Sequence, residues 1–160
     1  MLTIKEYTSA DQSNVVALTE RYFAECLGGR SLADPDLNPD ATWSEEQSKL
    51  LLAFERQGAK KLVGMLGILR KDDQTAFLKR MYVEPSFRPG AAIILLKRAV
   101  EFARSAQYSI LQFNADPITG KTFEAYQKFG AKRGWKSEPI NGASGRLLYT
   151  VDLPKKISQA

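Results

Sequence analysis

Apolar positions along this 160-residue chain fall into short blocks separated by polar, glycine-bearing or proline-bearing breaks. Leu2 to Tyr7 reads as a first strand. Val15, Leu18, Tyr22 and Cys26 recur on one helical face behind Ser9 or Asp11 as a cap, and Gly28-Gly29 ends the run. A polar loop with two prolines follows, R-S-L-A-D-P-D-L-N-P-D. Thr42 and Glu45 then have the capping-box spacing of a second, short helix. Leu50 to Phe54 suits a helix or a strand. The turn-like R-Q-G-A-K ahead of a second apolar run, Leu62 to Leu69, makes it the first arm of a hairpin. Lys71 to Gln74 predicts another turn, and Thr75 to Val83 the third strand of the same meander. In the next block Ala92, Leu96, Ala99 and Ala103 line one helix face, with Lys97, Arg98, Glu101 and Arg104 largely opposite. Ser109 to Phe113 predicts a buried strand, and Thr119 to Phe129 a short helix ended by Gly130. Ala131 to Trp135 and Arg146 to Asp152 predict two last strands.

The order β-α-α-β-β-β-α-β-α-β-β describes an α/β fold, a mixed sheet of about seven strands with about four flanking helices. The strand–helix–strand step from Leu78 to Phe113 implies a right-handed crossover and local parallel pairing. The length fits one domain over residues 1–153, with 154–160 as a frayed tail.

Composition narrows the chemistry. The apolar share of 44% and mixed charge suit a folded globular chain. No apolar run approaches a membrane span, and M-L-T-I-K-E-Y lacks the apolar core of a secretory signal. A single cysteine, Cys26, excludes an intrachain disulfide framework and fits a reducing cytoplasm. The histidine count of zero removes Ser-His-Asp and Cys-His sites and leaves too few ligands for the usual zinc sites, so no metal is expected. Chemistry falls to Tyr, Glu, Asp, Lys or backbone groups. A net charge of +5 would draw in an anionic ligand, but the basic residues are scattered and form no stripe for nucleic acid.

The densest information lies in L-K-R-M-Y-V-E-P-S-F-R-P-G-A-A, Leu78 to Ala92. An apolar strand enters a Pro-containing turn, passes Arg88, and reaches Gly90, Ala91 and Ala92 where a helix begins. Unpaired N–H groups at such a helix start, with the positive end of its dipole, suit a phosphate.

With the element order, these residues resemble the GCN5-related N-acetyltransferase family over essentially the whole chain. K-R-M-Y-V-E-P-S-F-R is similar to that family's fourth strand and the start of its acetyl-CoA loop. F-E-A-Y-Q-K-F-G-A is similar to its later helix, with Tyr126 and Gly130 in the tyrosine and glycine slots. The resemblance implies an acetyl-CoA-dependent N-acetyltransferase that moves an acetyl group directly to a primary amine, on a small molecule or a protein. No membrane or nucleic-acid partner is implied, and a homodimer through the last strands suits the fold. Carried over, Met81 and Val83 bond the pantetheine arm through backbone groups. An N–H near Met81 or Tyr82 faces the thioester carbonyl. Arg88, Pro89, Gly90, Ala91, Ala92 and Ile93 hold the pyrophosphate, and Tyr126 supplies the leaving thiolate's proton.

The loop departs from the family pattern. After Arg88 stands Pro89-Gly90-Ala91-Ala92, and a one-residue deletion restores small residues at the family's small positions. Pro89 removes one N–H donor from that loop. This keeps open an alternative reading, a weakly active or inactive acyl-CoA-binding or interaction module with a degenerate pyrophosphate loop. No residue stands out as general base. Glu45 and Glu46 lie in the region that often borders the acceptor site in such relatives and Glu84 near the end of the fourth strand, each suiting a solvated carboxylate, and Asn114 and Asp116 end the fifth strand. Glu45 and Asn114 are the candidate acceptor contacts, and Thr119 stands where some relatives carry asparagine.

Overall fold

The computed structural model describes residues 2–26, 49–56, 60–88, 90–117, 121–140 and 145–153. The elements are β1 (Leu2–Glu6), α1 (Gln12–Cys26), β2 (Lys49–Glu55), β3 (Lys61–Arg70), β4 (Thr75–Val83), α2 (Gly90–Ser105), β5 (Ile110–Ala115), α3 (Lys121–Arg133), β6 (Lys136–Pro139) and β7 (Leu147–Asp152). Short 3-10 turns occupy Ser9–Asp11 and Pro85–Phe87. The seven strands form one mixed sheet in the order β1-β2-β3-β4-β5-β7-β6. Only β4 and β5 pair in parallel, across the α2 crossover. The expected short helix near Thr42, the Gly28-Gly29 stop and the 154–160 tail lie outside the described residues. Three α-helices are therefore seen among the described residues, against the expectation of about four.

The sheet is apolar on both faces, which is why β2 and β3 read as continuous runs and not as alternation. Leu50, Leu52, Phe54, Leu62, Met65 and Tyr82 pack on one face with Val15 and Leu18 of α1. Leu51, Ala53, Val63, Leu66 and Ile68 point the other way, beneath α2. The buried face of α2 is mostly small: Ala91, Ala92, Ala99 and Ala103 frame Leu95 and Leu96. Small residues let the helix axis approach the sheet. At Gly64 of β3 an added Cβ would come 3.2 Å from Leu95 Cδ1.

Entry to α1 is set by Thr8 and not by Ser9. The Asp11 carboxylate accepts from the Thr8 backbone N–H at 3.0 Å and from its hydroxyl at 3.2 Å, and Lys5 Nζ lies 2.7 Å away. Burial pushes the Asp11 carboxyl up, but the bonds from Lys5 and Thr8 together outweigh it and hold the group below its ordinary value.

Two expectations for the C-terminal third are corrected. Gly130 does not end α3, and Ala131 to Trp135 is not a strand. The helix runs on to Arg133 and stops at Gly134, whose φ of +68° is the left-handed conformation of a helix C′ residue. Trp135 N–H donates to Gly130 O at 2.9 Å and closes the end as a Schellman motif. The strand starts one turn later, at Lys136. Gly130 is glycine for a different reason. A Cβ there would stand 3.1 Å from Trp135 and 3.2 Å from Tyr149 ring atoms.

Gly130→Val should therefore lower stability by about 2 kcal/mol or more, because overpacking a filled site outweighs the better helix propensity. Urea unfolding checks this, and Gly90→Ala is the comparison. A Cβ at Gly90 meets nothing within 4 Å, so that variant should unfold within about 0.5 kcal/mol of the parent.

Candidate functional site

β4 is held along its whole length by β3 but only in part by β5. Antiparallel pairing to β3 reaches Gly64↔Val83, and Glu84 N–H continues it by donating to Val63 O at 2.8 Å. Parallel pairing to β5 covers only Thr75↔Ile110 to Leu78↔Phe113. Beyond Leu78 the two strands separate, and β5 continues through Asn114 and Ala115 paired with β7 alone. A bulge lies at the point of separation. Between Gly67↔Lys79 and Met65↔Tyr82 the β4 strand carries two residues, Arg80 and Met81, opposite one, and Arg80 has φ of 64°. A bulge sharpens strand twist, which turns the end of β4 away from β5.

The backbone directions follow from the pairing. Glu84 N–H points at β3, so across the trans peptide the Val83 carbonyl points the other way, into the gap. Arg88 Nε donates to that carbonyl at 2.8 Å, which confirms the direction. Alternation then turns the backbone groups of Val83 and Met81 toward the gap and those of Tyr82 toward β3. The side chains alternate too. Met81 and Val83 lie with the α2-side core, and Tyr82 stacks on Tyr22 of α1 with ring centroids 4.1 Å apart.

Arg88 sits at the C-terminal cap of the 3-10 turn, half-buried, with its guanidinium 5.9 Å over the Tyr22 ring. Glu84, expected as a solvated carboxylate, is largely covered and pairs with Arg21 Nε at 2.7 Å. Together these contacts tie α1, the end of β4 and the turn before α2. Gly90 opens α2 and is exposed, whereas Ala91 and Ala92 are buried against the sheet and Ile93 is half-buried. The first-turn N–H groups of α2 have no partner within the helix. The open space beside Gly90 lets a ligand come close to them. Pro89, Glu45, Glu46 and Thr119 lie outside the described residues.

Tyr126 is buried on α3, its ring edge-on to Phe113 with centroids 5.1 Å apart. Phe113 is the last β5 residue paired with β4, so this contact sets Tyr126 beside the rung where the gap begins. Burial alone pushes the Tyr126 phenol far above its ordinary value. No hydrogen bond from its hydroxyl is found among the described residues. Asn114 follows Phe113, is exposed, and points to the opposite face of the sheet. Asp116 pairs with Arg146 at 3.3 Å. Among the described residues no group of acidic or cysteine side chains could hold a metal, and no helix is long and apolar enough to cross a membrane.

Sequence reasoning missed two parts of this site. Arg80 in a left-handed conformation carries no signal, since bulges of this kind usually show as glycine. The Tyr22–Tyr82 stack was half visible, with Tyr22 on the apolar face of α1 but its partner 60 residues away.

A model of the acetyltransferase (GNAT) family matches residues 15–131. The chain belongs to that family. No curated protein sequence matches it. Among solved structures, a GNAT-family acetyltransferase from Staphylococcus aureus Mu50 superposes with a TM-score of 0.75 at 17% identity, over 96% of this chain and 100% of the other. An acetyltransferase from Streptococcus agalactiae 2603 gives 0.72 at 20% identity, over 95% and 98%. The Salmonella typhimurium protein yncA, solved with its cofactor acetyl-CoA, gives 0.68 at 14% identity, over 99% and 98%. These likenesses establish the fold, including the seven-stranded mixed sheet.

Because Arg88 satisfies the Val83 carbonyl, Arg88→Leu should cost about 1–2 kcal/mol by urea unfolding. Arg21→Leu, which breaks a more exposed pair, should cost no more than about 1 kcal/mol.

Proposed function

We propose that this chain is an acetyl-CoA-dependent N-acetyltransferase acting on a primary amine by direct transfer, with Tyr126 as the general acid. The observation that carries the reading is the β4–β5 gap, where Met81 and Val83 present backbone groups with no strand partner. An extended, amide-bearing arm can pair with such an edge as a missing strand would. The residues present therefore fit the pantetheine of acetyl-CoA, and the first turn of α2 with the open space beside Gly90 fits its pyrophosphate. Bound there, acetyl-CoA supplies an activated acetyl group and a thiolate as leaving group.

The roles of the chain follow from the geometry. Backbone N–H groups of Met81 or Val83 donate to the oxygen on which negative charge grows, and they do so in a site walled by Phe113 and Tyr126. Tyr126 holds a proton at its phenolic oxygen. Because burial raises its pKa, the phenol stays protonated through neutral and alkaline pH and remains a donor for the departing sulfur. The acceptor amine must lose its own proton before attack. A water chain, or an amine already deprotonated in solution, serves that step. Asn114 and Glu45 remain the candidate contacts to the amine-bearing molecule.

The competing reading, an acyl-CoA-binding module without catalysis, rests on Pro89, which takes one N–H out of the loop. Calorimetric titration with acetyl-CoA, followed by thiol release with a panel of amines, separates the two. Micromolar binding with amine-dependent thiol release supports the enzyme; binding without release supports the module. Loss of acetyl-CoA binding altogether would sink both.

Tyr126→Phe should lower kcat by about 10²-fold with acetyl-CoA affinity nearly unchanged, since only the proton donor is lost and the ring still packs on Phe113. Gly90→Val should weaken acetyl-CoA binding about tenfold or more in the same calorimetric assay by filling the space a phosphate needs.

A further inference from the structure

We propose that the cleft between α2 and α3 is a second binding site, for a small aromatic anion of the nucleoside phosphate class. The cleft has a volume of about 660 Å³, within the range of small-molecule pockets. It opens toward the other end of β5 from the β4–β5 gap, and only Trp135 in its floor reaches Phe113, with ring centroids 5.8 Å apart. Its β7 lining, Thr150 to Asp152, pairs with the first residues of β5, Gln112 to Ile110, whereas the gap opens beyond Phe113.

Its walls combine two chemistries. Val100, Phe129 and Trp135 form an apolar and aromatic floor, all partly buried. Lys97, Arg104, Arg133 and Lys136 stand around it, against two carboxylates, Glu101 and Asp152. Asp152 is within 4.0 Å of Lys136. No described carboxylate pairs with Arg104 or Arg133. The Arg133 guanidinium lies 3.4 Å over the Phe129 ring, which makes a flat cationic platform.

A simpler account exists for each cation alone. Arg104 and Arg133 stand in the last turns of their helices, where the dipole favours a positive charge. The parallel run of β4 and β5 brings both helix ends to the same end of the sheet, but neither account explains an open cleft between them with an aromatic floor. A planar base can stack on the Arg133–Phe129 pair or on Trp135. A phosphate can take two guanidinium forks, and Glu101 can accept from a base or ribose donor.

The test uses Trp135 as its own reporter. The sequence has one other tryptophan, Trp43, so Trp43→Phe leaves Trp135 as the only indole. AMP should change Trp135 emission saturably and should still do so with desulfo-CoA at saturation. Adenosine and pyrophosphate should each bind at least about tenfold more weakly than AMP, since each lacks half the chemistry. Arg104→Glu and Arg133→Glu should each weaken AMP binding about tenfold. Both side chains are exposed, so an unchanged thermal midpoint will show that the fold is intact, and Lys97→Glu is the second variant if it is not. The proposal is overturned if AMP gives no saturable change, if the charge reversals leave its affinity unaltered, or if pyrophosphate binds as tightly, which would mean a plain anion site. Displacement of AMP by desulfo-CoA would also overturn it, by placing AMP in the β4–β5 gap.

Discussion

The structure depends on an unequal demand placed on one strand. β4 keeps its pairing with β3 through Val83, and Glu84 extends it, yet it stays with β5 for only four residues. Both cannot continue because the bulge at Arg80 and Met81 changes the course of β4 just past the last shared rung. Holding Arg80 at a φ of 64° costs on the order of 1–3 kcal/mol. The surroundings must over-determine it for the conformation to persist, and they do. Arg80 Nη1 reaches the Tyr82 hydroxyl at 3.2 Å, Tyr82 stacks on Tyr22, and Glu84 is held by Arg21. The gap is thus built by contacts on the α1 face, although it opens within the plane of the sheet.

The same contacts explain why α2 starts where it does. After Val83 the chain turns through Pro85–Phe87, and Arg88 folds back onto the Val83 carbonyl. That bond satisfies an acceptor in the gap and fixes the direction from which α2 begins. The alanines of α2 and Gly64 beneath Leu95 bring the helix close to the sheet. Its first turn therefore lies near the end of β4. A bulkier buried face would lift the helix and move its N–H groups away from the strand edge, so the small-residue spacing serves packing and position together.

Much of this was legible because it depends on local patterns. The hairpin β2–β3, the meander into β4 and the amphipathic face of α2 follow from apolar spacing, and the structure has them within one or two residues of expectation. The end of α3 was misread because two glycines stand four residues apart. Gly130 resembles a stop, but its role is steric, against Trp135 and Tyr149, and Gly134 alone has the positive φ that ends the helix. Nothing local distinguishes them, since the partner Tyr149 is 19 residues further on. For the same reason the gap has no local signal in the sequence. Its cause is an arginine in a glycine-like conformation and a set of side chains joined across the sheet. The identities of Met81, Val83 and Tyr126 were visible; the direction of their backbone groups and the burial of the phenol required the pairing.

Tyr126 illustrates how packing alone can shift the titration of a phenol. Phe113 meets four features at once: Tyr126 edge-on at 5.1 Å, Trp135 edge-on at 5.8 Å, Tyr149 stacked at 5.3 Å, and the last rung to β4. Its ring is therefore a fixed wall, and Tyr126 is oriented by aromatic contacts on a helix whose end is closed by the Gly130–Trp135 bond. A phenol placed this way keeps its proton because the phenolate would be poorly solvated, not because an acceptor holds it. The aromatic cluster that orients the ring also reaches Trp135 in the lining of the α2–α3 cleft.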